Sequence, residues 1–252
     1  MVDKAAKGEE KSRRLRERIA LSLPVRIYCR ESLSYDWTEM SRLVDVTPFG
    51  ARLRLKRPTE IGRLLLLTMA MPRQLRCFDH IEDQYRVWSL VRNVKLLDPD
   101  AYKGSLLEIG VAFVGKRPPR SFEANPSRRY EIAQSSSEAS QWNVKEELGP
   151  TLSEVSETDK RKESRHTIPI EVLVEAYTDE KGSSPGEKTV TENISRMGAA
   201  VFTTLDILPG RFVKVSSEQY GVSVLAVVRA RRNGADGIPR LHLEFIGREW
   251  PL

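Results

Sequence analysis

The feature that most constrains this chain is an internal repeat. In the second half an arginine pair, Arg161 and Arg165 within RKESR, precedes the segment Asn193-Ile194-Ser195-Arg196-Met197-Gly198. In the first half Arg14 and Arg18 within RLRER precede Asp45-Val46-Thr47-Pro48-Phe49-Gly50. The second arginine stands 27 residues before Asp45 and 28 before Asn193. The far ends match as well: Val91-Arg92 with Val228-Arg229, and Phe113-Val114-Gly115 with Phe245-Ile246-Gly247. Motifs and ends recurring in one order mean a duplicated domain, which suits 252 residues.

Hydropathy patterning makes each copy a β domain. Val25, Ile27 and Cys29 alternate with Arg26, Tyr28 and Arg30, the signature of a half-buried strand. Ala51, Leu53 and Leu55 repeat the pattern directly after the Asp45–Gly50 turn. Runs at Leu64–Met69, Tyr85–Leu97 and Leu107–Val114 supply further strands. The second copy offers Ile170–Ala176, Ala199–Phe202, Phe212–Val215, Val222–Ala230 and a closing strand through Leu241, Leu243 and Phe245. Short strands punctuated by Gly and Pro predict a small barrel. Trp88 is expected to pack in the core or on the barrel face.

Charge divides the chain. Residues 1–120 hold 24 Lys and Arg against 15 Asp and Glu, a net +9. Residues 121–160 hold 4 against 8, a net −4, and residues 161–252 hold 13 against 12, a net +1. The middle segment combines SSSEAS, an acidic Glu146–Glu157 stretch and Gly149-Pro150, which predicts a flexible acidic linker. The expected division is a disordered tail over 1–12, a first domain over 13–120, a linker over 121–159 and a second domain over 160–252. A short helix is expected near Arg128–Gln134.

Several classes are disfavoured. Cys29 and Cys77 form no CxxC, and His80, His166 and His242 lie at no metal-ligand spacing, so no metal and no cofactor are expected. No nucleophile elbow, P-loop or paired-carboxylate motif supports an enzyme. The longest apolar run, Leu64–Leu67, is too short to span a bilayer, and the N-terminus has no apolar signal region. A soluble cytoplasmic protein without membrane insertion is the expectation. A basic first half attracts anions, nucleic acid included. A single-strand platform, however, needs aromatics interleaved with the basic residues, and these are absent.

The paired arginines and the turn together suit a guanine-bearing phosphodiester. A guanidinium forks onto the O6 and N7 acceptors of guanine, stacks on the base, or pairs with phosphate. An Arg-x-x-x-Arg pair alone says little among 28 arginines; three occur, and Arg26/Arg30 lies on the solvent face of a strand. Position gives the other two their weight, because each precedes the first strand of a copy and each turn precedes an apolar strand.

Both halves resemble PilZ domains, the bacterial receptors for cyclic di-GMP, whose pattern is Arg-x-x-x-Arg followed by Asp/Asn-x-Ser-x-x-Gly. The resemblance covers residues 13–118 and 160–248. It implies a mainly β protein of two six-stranded barrels, cyclic di-GMP as ligand, and no enzymatic activity. The second copy matches at Arg161, Arg165, Asn193, Ser195 and Gly198. The first matches at Arg14, Arg18, Asp45 and Gly50 and departs at Thr47, where Pro48 also restrains the backbone. Ligand binding and a purely scaffolding role both stay open for that copy.

By resemblance, Arg161 and Arg165 hold guanine and phosphate from a mobile arm, Asn193 reads a guanine edge and Ser195 bonds near phosphate. Gly198 admits close backbone approach and a positive φ. Arg13, Lys160 and His166 are expected accessory residues. The expected switch is ordering of the arm with reorientation of the domains, read by a protein partner of unknown identity. Two rivals stand beside this: a degenerate PilZ scaffold acting through protein contacts, and a basic barrel binding nucleic acid.

Overall fold

The computed structural model describes residues 18–97, 107–133, 143–146, 165–177, 185–234 and 236–252. The first barrel contains β1 (Pro24–Arg30), β2 (Asp36–Thr47), β3 (Gly50–Leu55), β4 (Leu64–Met69), β5 (Tyr85–Leu96) and β6 (Leu107–Gly115). After it come a short helix, α1 (Ser121–Ala124), and a hairpin of β7 (Tyr130–Ala133) and β8 (Asn143–Glu146). The second barrel contains β9 (Glu171–Ala176), β10 (Gly186–Ser195), β11 (Gly198–Phe202), β12 (Phe212–Ser217), β13 (Val222–Asn233) and β14 (Pro239–Ile246).

Both barrels close in the same order. The first runs β1-β2-β3-β6-β5-β4, and the second runs β9-β10-β11-β14-β13-β12. Closure removes the exposed sheet edges that open antiparallel sheets must protect. Alternation decides what fills each barrel: Val25, Ile27, Cys29, Leu53 and Leu55 point into one core. Val172, Val174, Ala199, Val201, Leu241 and Leu243 point into the other. The intervening residues face outward, so the outward positions of β10, β11 and β14 share one outer surface.

Two long strands escape sequence reading. The middle of β2, Thr38 to Arg42, has no fully buried residue, and β10 opens on GEKT with its apolar residues gathered at the far end. Without alternation there is no period to find. Among the described residues no helix is long and apolar enough to cross a membrane.

Residues 121–133, expected to begin the linker, fold back on the first barrel instead. Phe122 and Tyr130 are buried with Leu64, Trp88 and Leu90 on the outside of the barrel wall. Trp88 meets Phe122 edge-on, with ring centroids 5.0 Å apart. The helix expected near Arg128–Gln134 is the strand β7, and the helical turn lies earlier, at Ser121–Ala124. Two apolar anchors in an otherwise polar stretch were too sparse to show a period. The tail over 1–12 and most of the expected linker lie outside the described residues.

The barrels meet through a buried ion network. Glu60 of the first barrel accepts from Arg63 Nη2 at 2.5 Å and also from Arg229 of the second. Arg229 Nε donates to Glu244 Oε2 at 2.7 Å, and Arg129 Nη1 to Glu244 Oε1 at 3.3 Å. Arg63 is fully buried and reaches Gly210 O at 3.3 Å. Arg211 of the second barrel lies over the Tyr35 ring at 3.3 Å, with Glu31 3.6 Å from its Nη1. Val94 packs against Phe212, Val227 and Ile246 beside this network. Charges removed from water must be paired, and here every carboxylate meets at least one guanidinium.

Candidate functional site

The turn of each barrel is built identically. Ser195 Oγ accepts from Met197 N at 3.3 Å and donates to Gly198 O at 3.3 Å. Thr47 Oγ1 accepts from Phe49 N at 3.3 Å and donates to Gly50 O at 3.3 Å. The hydroxyl serves the turn itself, and threonine serves as well as serine. The Thr47 departure therefore leaves the turn intact.

Glycine ends both turns for space. A Cβ on Gly198 would stand 2.4 Å from Leu243 O, and one on Gly50 would stand 2.3 Å from Val111 O. Neither has a positive φ, so the left-handed backbone expected at Gly198 is not its role. Close packing of β11 on β14 is what excludes a side chain.

A bulge aims the Asx residue. The β10–β11 register shifts between Thr191 and Asn193, and the β2–β3 register shifts at the same place, between Leu43 and Asp45. The extra residue, Glu192 or Val44, turns the strand next to the motif, a usual place for bulges. Asn193 then lies opposite Ala200, and Asp45 opposite Arg52.

The arms dock by one device. His166 N donates to Ile194 O at 2.8 Å and Ile194 N returns to His166 O at 2.9 Å. Ile19 and Val46 exchange the same two bonds at 2.9 Å each. This seats the preceding arginine over the Asx. Arg165 Nη1 donates to Asn193 Oδ1 at 3.3 Å, and Arg18 Nη1 to Asp45 Oδ1 at 3.2 Å. His166 is exposed and pins the arm by its backbone. Arg13, Arg14, Lys160 and Arg161 lie outside the described residues.

The sites part at the residue opposite the Asx. Arg52 Nε donates to Asp45 Oδ2 at 2.8 Å, and its Nη1 to Glu108 Oε1 at 3.1 Å. A guanidinium thus lies across the first barrel's face, and Asp45 is held by Arg18 and Arg52 together. In the second barrel that position is Ala200, and the neutral Asn193 side chain accepts from Arg165.

Beside Asn193 lies a group that motif reading missed. An open pocket of about 450 Å³ is lined by Glu192, Arg232, Asp236, Arg240 and His242, among others. Arg240 Nε donates to Glu192 Oε1 at 2.6 Å, its Nη2 to Asp236 Oδ2 at 2.8 Å, and its guanidinium lies 4.6 Å over the Phe202 ring. Arg240 in turn holds the Asp236 carboxyl well below its ordinary range. Burial lowers the His242 imidazole below its ordinary value, and the nearby charges of Arg232 and Arg165 lower it further. In sequence these residues are scattered over β10, β13, β14 and the β13–β14 connection and share no spacing.

Residues 159–249 match the family model of the PilZ domain. No curated protein matches the chain. Among solved structures, the Bacillus subtilis inhibitor of motility (MotI/DgrA) aligns at 16% identity over 90% of this chain and 88% of its own, with a TM-score of 0.28. The Borreliella burgdorferi PlzA protein in complex with c-di-GMP aligns at 8% identity over 94% and 89%, with a TM-score of 0.29. YcgR in complex with c-di-GMP from Escherichia coli aligns at 13% identity over 89% and 76%, with a TM-score of 0.27. On the family match, residues 159–249 are a PilZ domain.

Proposed function

We propose that the chain is a non-enzymatic receptor for cyclic di-GMP, that the second barrel is its main site, and that the first barrel serves as a scaffold. The observation that carries this is the exchange of Arg52 for Ala200 beneath otherwise equivalent corners. A base laid on the second barrel meets no guanidinium at that position, where Ala200 is fully buried. A base laid on the first must displace a guanidinium held by Asp45 and Glu108. That displacement gives up charge-assisted bonds before any contact with ligand is made.

In this reading Arg165 leaves Asn193 Oδ1 to take a guanine face or phosphate, and Arg161 joins it as the arm closes. Asn193 is then free to read the base edge. The turn keeps its shape because Ser195 and Gly198 are already locked. A dissociation constant near 1 μM requires only about 8 kcal/mol, within reach of a few ionic contacts and one stack. The moving part is the arm. Reorientation of the barrels would have to open the Glu60–Arg229 pair, so a protein partner reads the arm and the segment before it.

The test is calorimetric titration of the full chain with cyclic di-GMP, comparing wild type with Arg165→Ala, Asn193→Ala and Arg18→Ala. The first two should abolish or greatly weaken binding, while Arg18→Ala should keep affinity and stoichiometry. Wild-type behaviour from both second-barrel variants would overturn the assignment.

A further inference from the structure

The pocket beside Asn193 has two side chains that the motif does not account for. Among the described residues, neither the Arg232 guanidinium nor the His242 ring has a hydrogen-bond or ion-pair partner. Arg240, by contrast, is fully engaged by Glu192 and Asp236. The two acidic groups of the pocket are thereby occupied, and the groups left for a ligand are a guanidinium and an imidazole.

Their placement is set by the strands. Asn193 pairs with Ala200, and Ala200 pairs with His242. Ala199 and Val201 on one strand, and Leu241 and Leu243 on the other, fill the core, so Ala200 and His242 face outward. Asn193, Ala200 and His242 therefore form one row across the outer surface. Two strand spacings, about 10 Å, separate its ends. Arg232 pairs with Arg240 on the adjoining row. In the first barrel the row reads Asp45, Arg52, Gly110, with no imidazole.

We propose that this pocket is the far half of the dinucleotide site, where Arg232 and His242 hold the phosphate that the Arg165–Asn193 corner cannot reach. The inference rests on the reading of the second barrel as the cyclic di-GMP site. A cyclic dinucleotide carries two phosphates, and the motif residues cluster at the β10–β11 edge alone. Ala200, which is fully buried, puts no charged side chain between the two halves.

A consequence is pH dependence. Facing His242 are Arg232 from β13, Arg165 from the arm, Glu192 from β10 and Arg240 from its own strand. Without ligand, burial and then the surrounding cations outweigh Glu192 and lower the imidazole below its ordinary value. An arriving dianion reverses that balance, so the ring takes up a proton on binding and affinity rises as the pH falls.

The experiment is titration of the full chain with cyclic di-GMP at about pH 6 and about pH 8, the range in which histidine charges. Wild type should bind more tightly at the lower pH, and His242→Gln should remove that difference. Arg232→Ala should weaken binding roughly tenfold, the loss of one charge-assisted contact, without changing stoichiometry. If Arg232→Ala and His242→Gln both match wild type at both pH values while Asn193→Ala loses binding, the far-half inference fails and the corner assignment stands. If wild type itself does not bind, both fall.

Discussion

Arg52 places both its Nε and its Nη2 on a single oxygen of Asp45, at 2.8 and 2.5 Å, across the β2–β3 ladder. The equivalent pair in the second barrel is Asn193 and Ala200. One barrel has closed its corner with its own cation, while the other leaves the corner to a cation from the arm.

Asp45→Ala should leave the number of cyclic di-GMP molecules bound unchanged. The pairs it removes involve arginines more than a third exposed, so the stability cost should not exceed about 1 kcal/mol. Titration and urea denaturation of the same preparation check both statements.

Gly198→Ala and Gly50→Ala form a matched pair. Each puts a Cβ against a carbonyl oxygen of the neighbouring strand, so each should destabilise its barrel by about 1–3 kcal/mol. Only Gly198→Ala should also weaken ligand binding. Equal loss of binding in both would place a working site in the first barrel.

The Glu60 carboxyl feels burial pushing it up, yet Arg63 and Arg229 outweigh burial and hold it below its ordinary value. A lowered carboxyl contributes stability above the ordinary carboxylate range, and that contribution is lost as pH falls through the lowered value. Glu60→Gln should therefore cost about 3 kcal/mol or more at neutral pH, since it strands buried arginine charge, and the difference from wild type should shrink in acid. Denaturation midpoints across that range test it.

His242 acts in the same direction in a higher pH window. Burial, then Arg232 and Arg165, lower its imidazole, so the unfolded chain binds a proton at a pH where the folded chain does not. Stability should fall as pH drops from above about 6.5 toward the folded value. His242→Gln should flatten that slope, measured without ligand by thermal denaturation at several pH values.

Phe122→Ala should destabilise the first barrel by about 3 kcal/mol, as removal of a buried aromatic does. A neutral result would mean that the segment after Gly115 is independent of that barrel.

The repeat, the strand alternation at Val25–Cys29 and Ala51–Leu55, and the Asx-hydroxyl-glycine turn were all legible in the sequence, because each is a short-range pattern with a fixed period or spacing. The same is true of the second arginine of each pair, which the arm bridges seat on the Asx. The long strands β2 and β10 were not legible, since much of their length lacks alternation. Nor was the anchoring of Phe122 and Tyr130, two isolated apolar residues in a polar stretch.

The sequence by itself determined that two copies of one β domain exist and which residues form each corner, because backbone periodicity and turn chemistry are local. Tertiary structure alone decided what lies opposite each corner: Arg52 in one barrel, Ala200 with His242 beyond it in the other. It also decided that Glu60 and Arg229, 169 residues apart, meet in the interface. Such neighbours are set by strand register and by barrel docking, and these depend on pairings between segments that leave no common spacing in the chain.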